Sequence, residues 1–143
     1  IGFAKALVLA EERRRSEVER LGQLRQSLKQ SLMEHLTGIR FNESDNNSPA
    51  ILNISIAGVD GERVVFALDE LGVQVATGSA CAANKGRRSH VLLAMGRSEA
   101  EVDGSLRLSF GRPTTEDDVA QASELIVRAV SEQSKFGVVG YGT

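Results

Sequence analysis

The sequence predicts an α+β domain in which a small sheet packs against helices, with a long helix leading at the N-terminus. Three observations predict it. An unbroken helical pattern without proline runs from Gly2 to Leu36. Short stretches alternate apolar and polar residues at Ile51–Ile56 and Ser105–Phe110, the period of a half-buried strand. A second helical pattern closes the chain from Thr115 to about Lys135.

In the first helix, Val18, Leu21, Leu24, Leu28, Leu32 and Leu36 recur at three- and four-residue steps and define one buried face. At 1.5 Å per residue the helix would be roughly 50 Å long, enough to span more than one body. Its opening turns differ. Ile1, Phe3, Leu7, Val8 and Leu9 are apolar nearly all round, which fits either packing on the same domain or a surface that meets another domain. Thr37-Gly38 ends the helix, and Ile39-Arg40-Phe41-Asn42 reads as a short strand. The polar stretch from Glu43 to Pro49 reads as a surface loop.

Asp60 is placed to cap a helix from Gly61 to Leu71 that buries Val64, Val65 and Leu68, and Gly72 stops it. Val73-Gln74-Val75-Ala76 reads as a further short strand. Ser89 caps a short helix through Met95, and Ser98-Glu99-Ala100-Glu101 is a capping box for another. Thr115-Glu116-Asp117-Asp118 opens the last helix, with acid in its first turn and Val119, Ala122, Ile126, Ala129 and Val130 inward. The expected order is α-β-β-α-β-α-α-β-α over residues 1–135. Residues 136–143, rich in glycine and without a period, read as a disordered or appended tail.

Composition narrows the function. The chain has 143 residues, of which 41% are hydrophobic and 25% charged, the proportions of a globular domain. A net charge of −2 with few aromatic residues argues against nucleic-acid binding. No apolar run approaches the roughly 20 residues of a membrane span. One cysteine excludes an intrachain disulfide and a thiolate metal cluster, so no metal is expected and a cytoplasmic setting is. The start at Ile1 has neither an initiator methionine nor a leader pattern, and reads as a cut from a longer protein.

Cys81 lies in Thr77-Gly78-Ser79-Ala80-Cys81-Ala82-Ala83-Asn84-Lys85-Gly86-Arg87-Arg88, a segment of small residues without apolar period. Its alanine neighbours cannot shield the sulfur, and Lys85, Arg87 and Arg88 would favour the nucleophilic thiolate. Thr77 to Arg88 is therefore expected to be the most mobile internal part of the chain. A small buried hydrophobe is the other reading of a lone cysteine. Arg107, in Ser105-Leu106-Arg107-Leu108-Ser109-Phe110, falls on the strand face opposite Leu106 and Leu108. There it is either a bidentate carboxylate clamp or an arginine on a solvated face. His35 suits a helix C-terminus. His90 follows a helix cap, where it is an acid–base candidate or a surface residue.

These residues carry a resemblance. Ala76-Thr77-Gly78-Ser79-Ala80-Cys81, then Ser89-His90-Val91-Leu92-Leu93-Ala94-Met95-Gly96, then Gly104-Ser105-Leu106-Arg107-Leu108-Ser109-Phe110-Gly111-Arg112-Pro113-Thr114-Thr115-Glu116 resemble the C-terminal region of NifS-type cysteine desulfurases. The resemblance extends to Leu52–Ile56, Asp60–Glu62 and Gly2–Ala6, covering nearly all but the tail. It implies the C-terminal small domain, residues 1–135, of an enzyme with the class V aminotransferase fold, pyridoxal phosphate (PLP) as cofactor and a homodimeric whole. It implies that L-cysteine yields L-alanine and a persulfide on Cys81, that Arg107 holds the substrate carboxylate, and that the sulfur passes to an acceptor such as an iron–sulfur scaffold. Enzymes of this kind anchor the cofactor through a lysine that follows a histidine. Lys5, Lys29, Lys85 and Lys135 do not, so cofactor-binding residues are expected in a missing N-terminal domain, and the isolated chain is expected to be inactive without cofactor. A free-standing persulfide carrier and a partner-binding module are the alternatives.

Overall fold

The computed structural model describes residues 2–78 and 88–136. Helix α1 (Gly2–His35) leads into strands β1 (Ile39–Phe41) and β2 (Ile51–Ile56), followed by helix α2 (Gly61–Glu70). Two short helices, α3 (His90–Ala94) and α4 (Glu99–Asp103), precede strand β3 (Ser105–Ser109) and the closing helix α5 (Glu116–Phe136). The sheet has the order β1-β2-β3, antiparallel throughout.

Local chemistry starts each helix after the first where the sequence predicts. Asp60 accepts hydrogen bonds from the Glu62 and Arg63 amides at 3.1 and 3.2 Å. Ser89 caps α3, and Ser98 with Glu101 forms a reciprocal box on α4. Thr115 and Asp118 do the same for α5, with amide contacts at 2.8 and 3.1 Å. Each side chain satisfies an amide that a helix start leaves without a backbone partner.

The pleat sorts the sheet residues between two faces. Leu52, Ile54 and Ile56 of β2 and Leu106 and Leu108 of β3 are buried on one face. Against them lie Leu24, Leu28, Leu32 and Leu36 from α1 or just after it, Val64 and Leu68 of α2, and Val119, Ile126, Ala129 and Val130 of α5. Between α1 and α5, Ser123 is buried, and its hydroxyl donates to Ser31 at 2.7 Å. The contact gives a buried hydroxyl its partner inside an apolar seam.

Two expectations change. Among the described residues Val73–Ala76 is not a strand: only Ala76 pairs, in a single antiparallel bridge with Arg107. The cause lies in the preceding helix. Gly72 takes φ 80°, and the Val73 amide donates back to the Leu68 carbonyl at 2.9 Å. This C-terminal cap occupies the first residue of the expected strand. The other change concerns α1, where Val18 is 47% exposed and the buried face begins only near Leu21. Phe3, Leu7 and Val8 are 79%, 55% and 51% exposed, so the helix opening does not pack on its own domain.

Where α4 turns into β3, the backbones pass in contact. Gly104 accepts the Ile56 amide at 3.0 Å, and a Cβ on Gly104 would lie 2.0 Å from the Ile56 carbonyl oxygen. Gly22, inside α1, has nothing within 4 Å of its would-be Cβ. Gly104→Ala is therefore expected to cost about 1–3 kcal/mol or more as backbone is forced apart, while Gly22→Ala gains roughly 0.5–1 kcal/mol. Urea unfolding of the two variants checks this, and a neutral Gly104→Ala would contradict the contact.

Candidate functional site

The sheet face away from the core carries Arg40, Asn53, Ser55, Ser105 and Arg107. Ladder partners place them in rows: Ser55 opposite Arg40 and Ser105, and Asn53 opposite Arg107. The Asn42 amide donates to the Asn53 carbonyl at 2.9 Å, which carries the β1–β2 ladder one residue further. Asn42, Asn53, Arg107 and Ala76 thus form one row across four chain segments.

Arg107 lies between Ala76 and Asn53, with both of its backbone hydrogen bonds made to Ala76. Its amide donates to the Ala76 carbonyl at 2.7 Å, its carbonyl accepts the Ala76 amide at 3.2 Å, and on the other side it is the ladder partner of Asn53. The residue is half-buried, and its guanidinium has no hydrogen bond or ion pair among the described residues. The other arginines of this region are engaged. Arg40 pairs with Glu101 at 3.1 Å, and Arg97 donates from Nε to Asn42 Oδ1 at 2.5 Å. Arg97 also reaches the Phe41 carbonyl at 3.4 Å. Asn42 Nδ2 in turn donates to Asn53 Oδ1 at 2.7 Å and to Ser55 Oγ at 2.8 Å. The Ser98 amide and hydroxyl, with Arg40 and Arg97 adding to the field, hold the Glu101 carboxyl below the usual carboxylate range. A cation on a rigid strand with donors beside it and no acceptor of its own can bind an anion, and its planar fork suits a carboxylate.

Cys81, with Lys85 and Arg87, lies outside the described residues, as does most of the Thr77–Arg88 segment expected to be mobile. Of the cations expected near the thiol, Arg88 is described, and it is paired with two carboxylates. Its Nε and Nη2 donate to the two oxygens of Asp103 at 2.7 and 2.8 Å, and Nη1 lies 2.8 Å from Glu99. Two carboxylates thus offset its charge. His35 sets Nδ1 2.7 Å from the Ser31 carbonyl at the end of α1, a capping role. His90 is exposed on the first turn of α3.

A cleft of about 350 Å³ opens elsewhere, between 72–75, the end of β3 and α5. Val73, Val75, Phe110, Pro113 and Val119 line it and Arg107 does not, so it is a gap beside the core rather than part of the polar face. Asn42 and Arg97 were not singled out in the sequence because nothing in its pattern brings residues 42, 53 and 97 together. The alternation of Asn53 with Leu52 and Ile54 was the one usable signal.

A three-stranded antiparallel sheet with a cationic polar face, backed by a long N-terminal and a long C-terminal helix, defines a small α+β domain. The chain belongs to the class-V aminotransferase family, whose model matches residues 1–122. Cysteine desulfurase IscS of Clostridium botulinum is 34% identical over 139 residues, 95% of this chain and 35% of that protein. An IscS-like cysteine desulfurase of Mycobacterium tuberculosis is 32% identical over 144 residues, 99% of this chain and 37% of that protein. A solved structure titled NifS-like protein superposes with a TM-score of 0.76 at 25% identity, covering 90% of this chain and 32% of that one. The chain thus spans about a third of the length of the curated relatives it matches.

Meeting both carboxylate oxygens, the Arg88 guanidinium should hold Asp103 ionised. The Arg88 hydrogen bonds lower the Asp103 carboxyl from its ordinary value of 3.8. A depressed value means that the pair contributes at neutral pH and is lost only as pH falls through the lowered value. An NMR titration of the Asp103 carboxyl should give a midpoint below 3.8, returning towards it in Arg88→Gln. An unchanged midpoint in that variant would show that the pair does not form in solution.

Proposed function

We propose that residues 1–135 are the C-terminal small domain of a PLP-dependent cysteine desulfurase, with 136–143 a tail. In this reading Arg107 holds the carboxylate of L-cysteine and Cys81 accepts its sulfur. The observation that carries it is Arg107 itself, a half-buried residue on a strand, bridged to Ala76, with its guanidinium unpaired among the described residues. The curated relatives named cysteine desulfurase give the substrate class. Ala76, bridged to Arg107, precedes Cys81 by five residues. At 3.3–3.6 Å per residue, five residues span at most about 18 Å, so chain length alone keeps Cys81 within that reach of the bridge to Arg107.

In the proposed reaction the Cys81 thiolate bonds to the substrate sulfur as the carbon–sulfur bond breaks. The carbon keeps the electron pair, takes up a proton and leaves as L-alanine, and the enzyme carries a persulfide. Binding through the carboxylate places the substrate's side chain at a set distance from Arg107, which converts an encounter into an oriented transfer. The described lysines do not fit the anchoring of an aldehyde cofactor. Lys29 donates to Glu43 at 2.6 Å and lies 5.0 Å from the centre of the Phe41 ring, and Lys5 sits on the exposed opening of α1. In this reading the cofactor is held by the part of the relatives' length that this chain does not span. The reading carries with it a homodimeric whole in the cytoplasm and an acceptor such as an iron–sulfur scaffold. None of the described helices is long and apolar enough to cross a membrane.

Two substitutions in the full-length protein test the reading. Cys81→Ser should abolish persulfide and alanine production while substrate still binds, because serine is a far weaker nucleophile towards sulfur. Arg107→Lys keeps the charge but loses the fork, and kcat/KM for L-cysteine should fall by about 1.5–3 kcal/mol, roughly one to two decades. Steady-state kinetics with thermal unfolding as a control measure both. Wild-type turnover in Cys81→Ser would remove the thiol from the mechanism, and unchanged kinetics in Arg107→Lys would return that residue to a solvated face.

A further inference from the structure

We propose that Asn53 is a second donor to the substrate carboxylate beside Arg107, and that Asn42 and Arg97 are positioning residues that keep its amide turned the right way. This rests on the reading of Arg107 as the carboxylate clamp. Asn53 and Arg107 are direct partners in the β2–β3 ladder and share the face opposite the core. Side chains so paired have Cβ atoms about 4.5–5.5 Å apart, within the span of one carboxylate and its two ligands.

An asparagine amide has a donor end and an acceptor end of nearly the same shape, so what it offers depends on which way it is turned. Here the turn is dictated from a distance. An arginine has no acceptor, so its Nε at 2.5 Å from Asn42 must meet Oδ1. Asn42 Nδ2 then faces β2 and donates to Asn53 Oδ1 at 2.7 Å. With its oxygen taken on the β1 side, Asn53 has Nδ2 left for the side on which Arg107 stands. No acceptor for that NH₂ group occurs among the described residues, and no described side-chain polar atom is buried without a partner, so the group retains access to solvent or ligand. A guanidinium and an amide NH₂ side by side form a donor set for a planar anion with two oxygens.

The consequence is a division of labour. Arg97 never touches the carboxylate, yet it decides whether Asn53 greets it with hydrogens or with an oxygen. Were Arg97 replaced by a side chain without a donor, Asn42 and Asn53 could both flip. Asn53 would then present Oδ1 to the substrate's negative charge. Lysine, which also donates and cannot accept, would hold the same orientation. This ordering of effects separates a polarity relay from simple packing, which would respond to size.

The test uses the full-length protein with its cofactor bound. It compares KM and kcat for L-cysteine with the competitive Ki of L-alanine and of ethylamine, which is alanine without its carboxylate. Asn53→Asp, nearly the same shape but with an oxygen for the NH₂, should raise KM for L-cysteine and Ki for L-alanine by about tenfold or more. The Ki of ethylamine should stay within about twofold, since it has no carboxylate to lose contact with. Arg97→Met should move the same two constants in the same direction by about threefold or more, and Arg97→Lys should restore them. Should Asn53→Asp fail to fold, the Arg97 pair carries the test alone, being at the turn between α3 and α4. If Arg107→Lys is impaired while Asn53→Asp and Arg97→Met match the wild type, the relay is overturned and the clamp stands. Equal changes for L-alanine and ethylamine would also overturn it. If Arg107→Lys is itself silent, the clamp fails and the relay with it.

Discussion

The antiparallel pairing of β2 with β3 sets Ile54 against Leu106 on one face and Asn53 against Arg107 on the other. Because side chains alternate with a period of two, a slip by one residue would drive Arg107 into the core and bring Leu106 and Leu108 out. The buried leucines and isoleucines therefore do two things together. They close the hydrophobic core under α1, α2 and α5, and they fix the register that presents the guanidinium on the opposite face. Stability and site geometry share one constraint, so a core change near Ile54 or Leu106 would be felt at Arg107 without touching it.

Around that register the chain adds rigidity at the points where the site could loosen. Gly104 lets β3 begin in contact with the end of β2. At the other end of β3, Arg20 of α1 holds the turn that follows, donating to the carbonyls of Thr114 at 2.7 Å, Gly111 at 3.1 Å and Arg112 at 3.2 Å. Arg25 and Lys29, one and two turns on, both pair with Glu43 after β1. The long helix is thus tied to both edges of the polar region while its own first turns stand clear of the domain. Those turns expose Phe3, Leu7 and Val8, in a chain that spans about a third of its relatives' length.

Much of this was legible in the sequence. The caps at Asp60, Ser89, Ser98 and Thr115 depend only on neighbours within three residues, and each is present. Periodicity located the buried leucines of α1 and the two faces of β3, and so put Arg107 opposite the core. What failed was decided by competition or by distance. The segment after α2 has strand-like residues, but the cap at Gly72 claims Val73 and leaves one bridge at Ala76. Val18 continues a helical stripe that periodicity alone extends past the point where the domain body ends. From the sequence, Arg88 is expected to lend positive charge near Cys81, which lies outside the described residues; its pairing with Asp103 and Glu99, more than ten residues away, no local pattern could show. The Arg97–Asn42–Asn53 chain joins three separate segments, and no local pattern could announce it. The family resemblance pointed at Cys81 and Arg107 and was silent about these partners.

We propose that Arg107 on β3 and Cys81, five residues after its bridge partner Ala76, serve one reaction. The most direct measurement is peptide mass mapping of the full-length protein after brief exposure to L-cysteine, with free and persulfide sulfur trapped by alkylation. The account predicts one additional sulfur atom on the peptide that contains Cys81. It also predicts that Arg107→Lys needs a much higher L-cysteine concentration to reach the same occupancy. Alanine released at the normal rate with no extra sulfur on that peptide would contradict it.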